Sequence, residues 1–250
     1  MRIGLRAGHS PNCLGAMGIV NEYEQMKKYY VAIKTILEKY GHVVIDCNSN
    51  GGSASTELRE GAAKANATTL DLFISLHMNA SNGLGHGTEA LVSSPNSGAF
   101  TYAQNLCNNF GAIGFTDRGV KFKQLYEMNN VKAANMIFEI CFCDNGQDVA
   151  IYNKYSWEEL AYIFCNAIDK KIPLTPPVEK GFIVTNYLPQ YSKDYSGVEI
   201  KSILGTYFNG IICYIRGNDK GVWIETQYLS LGKCEELKRS LGNLLYEIKK

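Results

Sequence analysis

No run of apolar residues in this 250-residue chain approaches the ~20 needed to cross a bilayer. None of signal-peptide length follows Met1, which leads straight into "RIGLRAGH". The expectation is synthesis in the cytoplasm without a signal peptide, and no membrane insertion. Surplus charge is lacking too, since 25 Lys and Arg face 24 Asp and Glu, a formal net charge of +1 spread along the chain. Nucleic-acid binding needs a basic footprint, and this balance excludes one. The eight cysteines contain no Cys-x-x-Cys and no paired metal-finger spacing. Cys13, Cys47, Cys107, Cys141, Cys143, Cys165, Cys213 and Cys234 therefore read as reduced, mainly small apolar side chains. Internal repeats and low-complexity tracts are also absent. What remains is a length that allows one sizeable core and a smaller module.

The first apolar stretch is β-prone and is stopped by "GHSPN", so it reads as a strand whose carboxyl end carries His9 into a loop. "NEYEQMKKYYVAIKTILEKYG" follows, with Tyr23, Met26, Tyr30, Ile33, Leu37 and Tyr40 at helical steps and Gly41 as the stop. Asn21 is a good N-cap, and Glu24 completes a capping-box pattern three residues on. Glu24 thus has a structural duty and Glu22 has none. Glu22 sits at the first helical position, facing the loop side, from where a carboxylate reaches toward the end of the first strand.

"HVVIDC" (42–47) reads as a strand and "TELREGAAKANA" (56–67) as a helix. In "DLFISLHMNAS" the apolar run from Leu72 to Leu76 suits a central strand covered on both faces, and His77 falls where it ends. "GTEALVSS" (87–94) is a strand, "FTYAQNLCNNFGAIG" a helix, "AANMIFEICFCDN" (133–145) a buried strand, and "SWEELAYIFCNAIDKK" (156–171) a helix opened by a second capping box. This alternation predicts an α/β domain, a layered sheet with helices on both faces. Such sheets bind ligands outside the carboxyl ends of their strands, where His9 and His77 would share one edge.

Glu139 stands inside "MIFEICF", where an ionised carboxylate is costly unless a metal, a cation or a raised pKa answers it. His9, Glu22 and His77, with Glu139 nearby, have the chemistry of a catalytic zinc site: two imidazoles and a carboxylate, an open fourth position, and a non-ligand carboxylate to move protons. A lone histidine at a strand end, however, is more often hydrogen-bonded structure than ligand. Other residues read more plainly. His86 is a solvated loop residue and His42 a structural one. Glu89 is a strand-end salt bridge before it is a substrate contact, and Asn79 serves a turn at least as readily as a substrate amide. Cys141 and Cys143 are explained by the buried strand that carries them.

"IPLTPPVEK" (172–180) packs three prolines into a semi-rigid linker, which predicts domains at 1–171 and 181–250. Beyond it lie a strand ("GFIVTNYLP"), a helix ("SGVEIKSILGTYF"), a hairpin turning at Asn218 to Gly221, and a helix over "KCEELKRSLGNLLYEI", the order of a small α+β domain. Tyr187, Tyr191, Tyr207, Tyr214, Trp223 and Tyr228 are either sugar-stacking surfaces or core.

"AGHS", "VNEYE", "ISLHMNAS" and "IFEICFCDN", in this order, resemble the zinc-dependent N-acetylmuramoyl-L-alanine amidases, the amidase_3 family of bacterial autolysins and phage endolysins. The resemblance runs from residue 1 to about 171 and includes "LREGAAKANATTLDLFISLH". It implies that His9, Glu22 and His77 bind Zn²⁺, that Glu139 is the catalytic acid/base, and that the bond cut joins N-acetylmuramic acid to L-alanine in peptidoglycan. Two positions depart from the family pattern, Arg6 where an acid is usual and Ser10 where a glycine is common. The second domain, whose element order faintly resembles the SPOR peptidoglycan-binding domain, would bind a Gram-positive wall or self-associate. A different wall-directed zinc hydrolase, peptidase or deacetylase, and a non-catalytic wall binder are the alternatives.

Overall fold

The computed structural model describes residues 1–190, 192–194 and 197–250, so Tyr191 lies outside the described residues. The chain divides into two compact units, Met1–Pro176 and Pro177–Lys250.

The first unit contains β1 (Arg2–Ala7), α1 (Glu22–Lys39), β2 (Val43–Asp46), α2 (Ala54–Asn66), β3 (Leu72–Asn79), β4 (Thr88–Val92), α3 (Phe100–Ala112), β5 (Asp117–Phe122), α4 (Tyr126–Asn130), β6 (Asn135–Phe142), α5 (Gly146–Tyr152) and α6 (Trp157–Ile168). Its six strands run in the order β2-β1-β3-β6-β4-β5. β2, β1, β3 and β6 are mutually parallel, while β4 is antiparallel to β6. The carboxyl ends of β1, β3 and β6 therefore meet the amino end of β4 at one edge.

Period-two alternation sorts the side chains between two faces. Ile3, Leu5, Ile74, Leu76 and Phe138 join Ile33 of α1, Phe110 of α3 and Phe164 of α6 in the main core. On the opposite face Phe73 packs on Ala62 and Ala65 of α2, and Leu91 and Ile137 pack on Met128 of α4. Burial on both faces is why β3 and β6 read as near-continuous apolar runs. Arg6, Ser75, His77, Glu89 and Glu139 share the parity of this second face.

Both caps expected of α1 and α6 involve the named residues, with one difference. At α6, Ser156 and Glu159 form a complete reciprocal box. At α1, Asn21 Oδ1 accepts from the Glu24 amide at 3.0 Å, but the exposed Glu24 side chain makes no return bond. β5, α4 and α5 have no counterpart in the sequence pattern; the two helices, of five and seven residues, are too short for a helical period to show.

The second unit contains β7 (Lys180–Thr185), α7 (Ile200–Tyr207), β8 (Cys213–Asn218), β9 (Gly221–Thr226), the two-residue β10 (Leu229–Ser230), α8 (Leu231–Leu241) and β11 (Leu245–Lys249). β8 and β9 form the hairpin expected at Asn218 to Gly221. The helix expected through "LLYEI" is overturned. It stops at Leu241, Gly242 turns the chain at φ +51°, and Leu245–Lys249 pairs antiparallel with β7. Bonding to a strand outweighed the local helical pattern. Ile183, Phe208, Ile224, Cys234, Leu237 and Leu241 form the core of this unit.

Candidate metal centre

His9 follows β1 by two residues with φ +70°, the only described non-glycine residue in the left-handed region. That backbone costs ~1–2 kcal/mol for an L-residue, so the surroundings must hold it. β1 continues into the site through a bond from the Gly8 amide to the Leu76 carbonyl at 2.7 Å. The His9 carbonyl accepts from Arg6 Nη2 at 3.2 Å. Gly8 and Gly15 allow close approach: a Cβ on Gly8 would run into the His77 ring, and one on Gly15 into the His9 ring and the Glu22 carboxylate.

Glu22, at the first position of α1, is buried and spans the two imidazoles. Its Oε1 lies 2.9 Å from His77 Nδ1 and its Oε2 lies 3.1 Å from His9 Nε2. The Met78 and Ala16 amides add bonds to Oε1 and Oε2 at 3.0 and 2.8 Å. The rings of His9 and His77 stand edge to face, centroids 4.9 Å apart. One ligand atom from each of His9, Glu22 and His77 lies within 4.8 Å of the others.

Burial alone would raise the Glu22 carboxyl and lower the His77 imidazole, and in both cases the partner wins. Hydrogen bonds from His77 and His9 hold Glu22 far below the usual carboxylate range. The bond and charge of Glu22 lift His77 to about 9. The cluster stabilises positive charge, which is what a cation shared by the three would bring. Ser75 Oγ lies 3.1 Å from His77 Nε2 and fixes the ring from its far side, as the outer partner of a metal-binding histidine does. His9 Nδ1 is buried with no partner. Two nitrogens and one carboxylate are a donor set suited to zinc, so the residues fit a metal.

Glu139 is the Cα partner of His77 on one side and of Glu89 on the other, a row across β3, β6 and β4. Its Oε2 is buried and unpartnered. Burial pushes its carboxyl up to about 7; His77 opposes the rise, and the charges of Glu22 and Glu89 add to it. Glu139 is thus poised to hold or release a proton near neutrality, as a general acid/base must.

Sequence reasoning missed the support beneath this row. Arg6 is fully buried and pairs with Glu57 of α2 and, at 2.8 Å, with Glu127 of α4. Its alternation with Ala7 in β1 could have placed it on the His77 face, but nothing local names its partners. Glu89 accepts from Arg118 Nε at 2.6 Å and from Asn79 Nδ2 at 2.9 Å, so both residues have structural bonds. His42 pairs with Asp169 at 3.2 Å, away from the site, and His86 stands exposed in a loop.

Two histidines at the carboxyl edge of the parallel strands, a glutamate from the start of α1 between them and a half-buried glutamate in register beside His77 define an α/β domain with a candidate metal site. Residues 3–170 match the N-acetylmuramoyl-L-alanine amidase family, Amidase_3, and the chain belongs to it. A 38.4 kDa protein of Clostridium perfringens is 33% identical over 180 residues, covering 69% of this chain and 52% of that protein. An endolysin of Bacillus phage SPP1 is 28% identical over 162 residues, 62% of this chain and 59% of that protein. The catalytic domain of the CD27L endolysin, which targets Clostridia difficile, superposes with a TM-score of 0.63 at 31% identity, covering 67% of this chain and 96% of that domain. The chain spans about half the length of the Clostridium perfringens relatives it matches. Among the described residues no helix is long and apolar enough to cross a membrane.

Proposed function

We propose that this chain is a zinc-dependent peptidoglycan amidase that separates the stem peptide from the glycan by hydrolysing the bond between N-acetylmuramic acid and L-alanine. The observation that carries this reading is the convergence of His9, Glu22 and His77 with Glu139 in register beside His77, in a chain of the amidase family. His9, Glu22 and His77 would hold zinc, which when bound supplies Lewis acidity toward the scissile carbonyl and lowers the pKa of a water. Ser75 and the Met78 and Ala16 amides keep His77 and Glu22 oriented for that task. Glu139 takes the proton of the attacking water on its carboxylate and returns it to the departing L-alanine nitrogen. Burial raises the Glu139 carboxyl and a bound cation would lower it, opposing pulls that suit a group which both takes and returns a proton.

Pro177–Lys250 would tether the enzyme to a Gram-positive wall and raise its effective concentration at an insoluble polymer. The domains proposed are a catalytic one over 1–171 and a wall-binding one over 181–250, joined by the proline stretch. Release onto the wall from the cytoplasm belongs to the same reading.

Mass analysis of purified peptidoglycan digested by the zinc-loaded chain tests the reading. Intact stem peptides with a free L-alanine amine are expected. Shortened peptides would make it a peptidase, lost acetate a deacetylase, and an unchanged polymer a binder.

A further inference from the structure

The second unit has a cavity of about 350 Å³ whose lining includes Asn186, Tyr187, Trp223, Glu225, Tyr246 and Lys249. Strand alternation explains its position. Ile183, Val222, Ile224 and Ile248 turn to the core shared with α8, so Trp223, Glu225, Glu247 and Lys249 stand on the other face of the sheet. Trp223 therefore lies outside the core of this unit.

Two of the three aromatic groups there, Trp223 and Tyr187, are held by polar bonds. Trp223 Nε1 donates to Glu225 Oε1 at 3.1 Å, and the indole meets the Tyr187 ring edge to face at 6.0 Å. The Tyr187 hydroxyl accepts from Asn218 Nδ2 at 3.1 Å, and its ring lies against Gly221, where a Cβ would press on it at 3.1 Å. Tyr187 nevertheless remains 47% exposed and Tyr246 66%. Each carboxylate on this face has its own cation, Glu225 with Arg216 at 3.1 Å and Glu247 with Lys249 at 3.2 Å. The surface thus combines fixed aromatic faces, local charge balance and a carboxylate with lone pairs to spare, since only two of about four acceptor sites on Glu225 are taken.

We propose that this groove seats an N-acetylated glycan strand, with Tyr187, Trp223 and Tyr246 stacking on sugar rings and Glu225 accepting from hydroxyl or acetamido N–H groups. The proposal rests on the wall-binding reading of this unit. Charge decides between the two parts of peptidoglycan. The glycan backbone is rich in uncharged hydroxyl and acetamido groups, whereas a stem peptide carries free carboxylates and amines that a charge-balanced face does not select. Pre-held rings also lower the ordering cost of binding.

The test uses the full, zinc-loaded chain carrying Glu139→Gln, so that walls are not consumed, and Trp157→Phe, which leaves Trp223 as the sole tryptophan. Titration with the N-acetylglucosamine tetramer should shift Trp223 emission saturably. Glu225→Gln, which keeps the shape, should weaken binding roughly tenfold, the scale of a hydrogen bond that loses its charged acceptor, and Tyr187→Ala should weaken it roughly tenfold through the lost stacking face. Both should reduce sedimentation with purified walls. If walls bind but no concentration of tetramer shifts Trp223, or if Glu225→Gln binds the tetramer undiminished, this groove is not the glycan seat while tethering stands. If the parent chain does not sediment with walls at all, tethering itself is wrong. A shift that follows protein concentration without sugar, with a dimer by size exclusion, would give the groove to a second copy and overturn the proposal.

Discussion

The sheet of the first unit is covered by helices on both faces and buries Arg6, Glu22, Glu57, Glu89, Glu127 and Asp148, whereas the polar residues buried in the second unit, among those described, are Thr185 and Thr226. Buried charge is costly unless partners converge on it. In the first unit they do: Arg6 is shared by Glu57 and Glu127, and Glu22 receives two imidazoles and two amides. In the second unit the ion pairs stand on the outer face, as with Arg216 and Glu225. On the proposed reading, the contrast separates chemistry from binding. Proton and metal chemistry needs fixed, desolvated charge, while reversible attachment to a polymer needs polar and aromatic groups within reach of solvent.

The comparison breaks first at Arg6. Arg6→Gln strands two buried carboxylates and should cost about 3–5 kcal/mol, the penalty for breaking a buried ion pair. Denaturant unfolding followed separately in the two units should show the loss in the first alone. A cost below about 1 kcal/mol would mean that the buried network is not what distinguishes that unit.

Glu139→Gln comes next. It removes the proton acceptor and keeps the shape, so turnover of soluble muropeptides should fall at least ~10²-fold while zinc stays bound and wall sedimentation is unchanged. Near-normal turnover would assign water activation to another group.

Proton linkage gives a smaller effect. Without metal, His77 is lifted from 6.5 to about 9 and Glu139 from 4.5 to about 7. Both bind protons more tightly folded than unfolded. Glu139's contribution to stability is fully present below 4.5 and lost as pH rises through 7, and that of His77 is fully present below 6.5 and lost through 9. Glu22, held low, runs the other way: its contribution is fully present above 4.5 and is lost progressively as pH falls below that. Zinc competes with the proton on its ligand His77, so the melting-temperature gain from a fixed zinc excess should grow from about pH 6 to about pH 9. Thermal melts with and without zinc across that range check the sign, and a gain that shrinks would contradict it.

The smallest effects sharpen the contrast rather than break it. Ser156 caps α6 and Ser230 caps α8. Replacing either with Ala should cost about 1 kcal/mol. Site-resolved hydrogen exchange should place the Ser156 loss in the first unit and the Ser230 loss in the second.

The residues that meet at the candidate site were legible for local reasons. His9 and His77 end apolar strands, Glu22 lacks the capping role open to Glu24, and Glu139 interrupts an apolar run. The pairing of Arg6 with Glu57 and Glu127 was not legible, because those partners lie 51 and 121 residues away and no periodicity records them. Ser75 shares the face of His77 at two-residue spacing, a signal that was present and passed over. β11 was hidden because its helical pattern yields only to pairing with β7.

Metal analysis tests the central claim most directly. The purified chain should carry about one zinc, in the three-ligand open arrangement of catalytic sites. His77→Ala, folded by circular dichroism, should carry almost none. Full zinc occupancy in folded His77→Ala would contradict the assignment of His9, Glu22 and His77 as the ligands, and with it the account of why the first unit buries its charge there.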